Sequence, residues 1–103
     1  MPNTRRWKAV ELAIAHIFNS SRTGPLGREE PDVITDKLCI EVKSRLKEPG
    51  WIRDAMNQVL GRTPEEKLGI VILHAKGIRH EDDMVILRLA DFMRWFPQGE
   101  KSA

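Results

Sequence analysis

Asp32, Glu41 and Lys43 are the residues of this 103-residue chain whose types and spacing could do chemistry. They lie in Pro-Asp-Val-Ile-Thr-Asp-Lys-Leu-Cys-Ile-Glu-Val-Lys, residues 31–43, whose two halves carry the period-2 apolar pattern of strands. A two-residue turn at Asp36-Lys37 predicts the pairs Thr35–Leu38, Ile34–Cys39, Val33–Ile40 and Asp32–Glu41. Asp32 then faces Glu41, and Lys43 follows on the same face because strand side chains repeat every second residue. Directly opposed residues have Cβ atoms about 4.5–5.5 Å apart. Two carboxylates held that close repel unless one is protonated or a cation sits between them. A hard divalent ion such as Mg²⁺ answers the need, since it takes a few carboxylate oxygens and keeps several waters. The Lys43 ammonium beside it could hold or help deprotonate an attacking water. The chemistry implied is metal-assisted hydrolysis.

The elements that must position these groups are legible along the chain. Thr4 can cap a helix over residues 5–19 that lays Trp7, Val10, Ile14, Ile17 and Phe18 along one face. Glu11 falls at the edge of that face, either as a rim residue bent out to water or held near a cation. Residues 20–30, rich in Ser, Gly and Pro, form a loop. Pro49-Gly50 breaks the chain before a helix over 51–60, whose apolar arc holds Trp51, Ile52, Ala55, Met56 and Val59, with Gln58 at its border. Thr63-Pro64-Glu65-Glu66 has the pattern of a capping box but room for only one turn. Residues 69–74 read as a strand buried on both faces, and 84–89 as the next strand. The polar connection between them ends in Glu81-Asp82-Asp83, read as solvated acids. Asp91 can cap a last helix over 92–96, which Pro97 ends. Phe92, Met93, Trp95 and Phe96 make that helix apolar over a wide arc, which suits either a core sandwich or an interface.

Pro31-Asp32 followed by Glu41-Val42-Lys43 resembles the signature of the PD-(D/E)XK nuclease superfamily. Within it, the order of elements is most similar to archaeal-type Holliday junction resolvases and their phage relatives. The resemblance implies an α/β, restriction-endonuclease-like core: a central mixed sheet of about four strands flanked by helices, in the order α-β-β-α-β-β-α. It implies that Asp32, Glu41 and the Val42 carbonyl ligate Mg²⁺ or Mn²⁺, with Glu11 completing the shell directly or through water. It also implies that Lys43 positions the attacking water and that Gln58 lies near the site. Ser20 or Ser21 could match a serine of the family's loop, or simply end the helix. The activity implied is metal-dependent endonucleolytic cleavage of DNA, most of all of branched four-way junctions, by a homodimer. A restriction-like or repair endonuclease of the same fold, or a DNA-binding module without catalysis, are the alternatives.

Composition is compatible with this. Apolar residues make up 41% and charged residues 31%, an ordinary globular balance for one domain over residues 1–103. No apolar run reaches the ~20 residues needed to span a bilayer, and the reading is a cytoplasmic protein. The single cysteine, Cys39, excludes an internal disulfide and is expected to pack. His16, His74 and His80 show no recurrent ligand spacing. The net charge is only +2, so contact with DNA must come from clustered basic residues. Arg5, Arg6 and Lys8, Arg22 and Arg28, and Arg45 and Lys47 are those clusters, all flanking the paired strands.

Overall fold

A computed structural model describes residues 4–22 and 31–98. Three helices and four short strands follow the expected order: α1 Thr4–Ile17, β1 Val33–Ile34, β2 Cys39–Ile40, α2 Gly50–Leu60, β3 Val71–Leu73, β4 Met84–Ile86 and α3 Leu89–Trp95. The protein is thus a small mixed α/β chain. Its described strands form two two-stranded antiparallel sheets, β1–β2 and β3–β4, where one mixed sheet of about four strands was expected. The chain divides into two compact units, Met1–Leu46 with Gln98–Ala103, and Lys47–Pro97.

In the first unit, α1 packs on β1. The helix stops because Asn19 takes a left-handed φ of 54°. The Asn19 and Ser20 N–H groups then bond the carbonyls of His16 and Ala15, a Schellman ending that satisfies the last free carbonyls. The buried stripe of α1 is Glu11, Ala15 and Phe18, while Ile17 is exposed. The helix is therefore rotated from the expected apolar face, and Glu11 lies within the buried stripe rather than at its rim.

The β1–β2 hairpin has the expected register, Val33 opposite Ile40 and Ile34 opposite Cys39. Its two-residue turn needs no glycine because Thr35 pins it. The Thr35 N–H donates to the Leu38 carbonyl at 2.9 Å, and the Thr35 hydroxyl accepts from the N–H groups of Lys37 and Leu38. Cys39, expected to pack, is exposed at the turn end of the hairpin.

In the second unit, α2 packs on β3 and buries Met56. Trp51, expected on the packed face, is exposed in the first turn of α2. Gly69 is buried where the chain passes the end of α2. A Cβ there would stand 2.8 Å from the Thr63 hydroxyl and 3.3 Å from a Leu60 methyl, so only glycine fits. Strand β3 is not buried on both faces: Ile72 is 53% exposed and its partner Val85 55%. Helix α3 begins at Leu89, with Arg88 at the cap position, so Asp91 does not cap it. Asp91 lies in the first turn, where it takes two hydrogen bonds from the Arg88 guanidinium, the shorter at 2.9 Å.

Candidate functional site

Asp32 is held by the hairpin itself. The rung after Val33–Ile40 is Asp32–Glu41, and the next hydrogen-bonded rung would join Pro31 to Val42. Proline has no N–H to offer that rung. The Val42 N–H instead donates to Asp32 Oδ2 at 2.7 Å, which turns the carboxylate in along the end of the hairpin. There it is close enough to Glu11, Glu41 and Lys43 for each to shift its carboxyl. Lys43 Nζ is 3.3 Å from Glu41 Oε2, both side chains being largely exposed. Four sequence-predicted groups, Glu11, Asp32, Glu41 and Lys43, therefore converge.

Glu11 is 4% exposed, the deepest ionisable group of the set. Burial pushes its carboxyl above the usual range, and the neighbouring Asp32 pushes the same way, while Arg22 partly offsets both. At Asp32, burial also raises the carboxyl. The Val42 N–H, the neighbouring Glu11 and Glu41, and the charge of Lys43 outweigh it, so Asp32 lies below the usual carboxylate range. The two carboxyls are thus pushed apart: Glu11 gives up its proton less readily than usual and Asp32 more readily.

Arg22 was expected to face DNA. It is turned inward, with Nη2 3.1 Å from Glu11 Oε2 and its side chain only 24% exposed. The segment that carries it runs antiparallel to β1 through an isolated bridge to Val33, which aims the guanidinium at α1. Its Nε is buried with no hydrogen-bond partner among the described residues. Ser20 has a structural task as well: its hydroxyl donates to the Ile34 carbonyl at 2.7 Å and ties the end of α1 to β1. Ser21 is exposed.

Gln58 is exposed on α2 in the second unit, and the cluster is built from the first unit alone. Lys8, Arg45 and Lys47 are exposed. Arg28 lies outside the described residues, as do the side chains of Arg5 and Arg6. Two features were not foreseen: the inward ion pair of Arg22, and a second group of ligand-type side chains, His74, His80 and Asp83, in the second unit. Extending the β3–β4 register by one rung sets His74 opposite Asp83, so that signal lay in the sequence once the register was known. No helix among the described residues is long and apolar enough to cross a membrane. No protein-family model, curated protein or solved structure matches this chain.

Proposed function

We propose that this chain is a metal-dependent DNA endonuclease of the PD-(D/E)XK type, acting on branched DNA in the manner of a Holliday junction resolvase. The reading rests on one observation above all: the ends of the β1–β2 hairpin carry Asp32, pinned by the Val42 N–H, and the Glu41–Lys43 pair, and Glu11 of α1 lies close enough to Asp32 to shift its carboxyl. The element order α-β-β-α-β-β-α is the one a restriction-endonuclease-like core would have, which supports the reading.

The donor set fits a hard divalent ion such as Mg²⁺ or Mn²⁺. Three carboxyl groups crowd together, and burial and the neighbouring Asp32 make Glu11 costly to ionise, a cost that a bound cation would offset. Asp32, Glu41 and Glu11 would hold the ion, with the Val42 carbonyl as a further oxygen. Bound there, it would polarise a phosphodiester and acidify a water. The chain's own residues do the rest. The Val42 N–H fixes the Asp32 carboxylate so that it does not swing away from the cluster. Glu41 steadies the Lys43 ammonium, which can donate a hydrogen bond to an attacking water and offset charge gathering on the phosphoryl oxygens. The exposure of Lys43 and Glu41 leaves this side of the cluster open to a polymeric substrate.

The exposed basic residues Lys8, Arg45 and Lys47 carry the contact with DNA. None forms a recognition helix for the major groove, so they read phosphate position and strand branching instead of sequence. The test is cleavage of four-way junctions, flaps and linear duplexes, with Mg²⁺ and with chelator. Cleavage of junctions over duplex, regardless of sequence and abolished by chelator, is the expected result. Preference for one linear sequence favours a restriction-like enzyme, and binding without any cleavage favours a non-catalytic module.

A further inference from the structure

The connection between β3 and β4 gathers ligand-type side chains that the nuclease reading does not use. The strand register ends at Leu73 opposite Met84, and the next rung sets His74 against Asp83. The chain then turns at residues 75–78, where the Ile78 N–H closes on the Ala75 carbonyl and Gly77 supplies the required φ of +87°. A single 3₁₀ turn, His80–Asp82, brings His80 back against His74, with ring centroids 4.5 Å apart. Asp83 Oδ1 lies 2.7 Å from His74 Nδ1, and Asp83 Oδ2 lies 3.1 Å from His80 Nδ1. One donor atom from each of the three residues falls within 4.8 Å of the others.

The Asp83 side chain is only 8% exposed, and a carboxylate so buried needs compensating charge. Two imidazoles supply it only when protonated, whereas a divalent cation supplies it while they are neutral. We infer that His74, His80 and Asp83 form a binding site for a borderline divalent transition-metal ion, Zn²⁺ being the representative, that clips the β3–β4 connection. Zn²⁺ takes imidazole nitrogen and carboxylate oxygen at about 2.0–2.2 Å, which sets tetrahedral donors about 3.3 Å apart. The two N···O separations, 2.7 and 3.1 Å to the two oxygens of Asp83, are shorter than that, so the rings need move apart only by a few tenths of an ångström to admit the ion. Imidazole donors distinguish this site from an all-carboxylate one, which suits Mg²⁺. The His80 side chain is 86% exposed, so the ion enters from solvent and water completes its shell. This inference stands on the second unit alone and does not depend on the nuclease reading.

Calorimetry of the full chain with ZnCl₂, in a large excess of Mg²⁺ to occupy the carboxylate cluster, tests it. One equivalent of Zn²⁺ should bind and raise the thermal midpoint. His80→Ala, a change at an exposed position, should weaken binding at least about tenfold and abolish the shift in midpoint. His16→Ala, an exposed histidine on α1, should leave binding unchanged. Circular dichroism of the two variants establishes that each is folded. No Zn²⁺ binding by the unaltered chain, equal binding in His80→Ala, or an equal loss in His16→Ala overturns the site.

Discussion

The Glu11 and Asp32 carboxyls are shifted in opposite directions because their surroundings differ. Burial and the neighbouring Asp32 raise Glu11, with Arg22 partly offsetting them, whereas the Val42 N–H, the neighbouring Glu11 and Glu41, and the charge of Lys43 outweigh burial at Asp32. Asp32→Asn separates the two properties of that residue. The amide oxygen can still accept from Val42, so the hairpin end is kept, but the charge that would hold a cation is gone. Calorimetry with Mn²⁺ should show binding to the unaltered chain and none to the variant, while equal binding would sink the metal assignment. At this scale, residue types and strand spacing were enough to find Asp32, Glu41 and Lys43. They were not enough for Arg22. Its partner is 11 residues away, and a surface-type residue gives no sign in sequence that it will turn inward.

At the scale of elements, the β1–β2 register was readable because alternation and turn length fix it together: a slip of one residue would expose Val33. The orientation of α1 was not, because a helix carrying both Ile and Ala can present either to its strand. Here Ala15 is fully buried, and Glu11 shares the buried side of α1 with it. Close packing explains Gly69, which the pattern alone marked only as the start of a strand. Gly69→Ala would drive a methyl into the Thr63 hydroxyl, which bonds the Val59 carbonyl at the end of α2. Chemical denaturation should register a loss of about 1–3 kcal/mol, and an unchanged midpoint would contradict the packing.

The start of α3 makes a pH prediction. The hydrogen bonds from Arg88 hold the Asp91 carboxyl below its usual range. A lowered folded value means stabilisation that is present above the unfolded carboxyl pKa of about 3.9 and is lost as pH falls through the folded value. Acid titration of the thermal midpoint should therefore show a steeper fall below about pH 4 for the unaltered chain than for Arg88→Gln. Parallel curves would remove the ion pair from the account.

As a whole molecule, the chain leaves more apolar surface exposed than its small core would suggest. Ala15, Phe18, Val33 and Met56 are its buried apolar side chains among the described residues, while Trp95 and Phe96 of the last helical segment stay exposed. The wide apolar arc of that segment was legible in sequence, but whether it faces a core or a partner was not, since both demand the same residues. The proposed homodimer would cover such a surface. Sedimentation equilibrium should give a mass near twice 11.8 kDa at concentrations that support cleavage. A monomer throughout would contradict the dimer.

In the proposed nuclease, the carboxylate cluster and Lys43 form one catalytic site. Single-turnover cleavage of a four-way junction by Lys43→Ala, with junction binding measured in parallel over a range of salt, tests it most directly. The exposed ammonium has little part in the fold, so the variant should remain folded. Cleavage should fall by about a hundredfold or more, while the salt dependence of binding loses about one unit of slope, the share of a single phosphate contact. Cleavage that persists at the unaltered rate would make Lys43 a surface lysine and contradict the site.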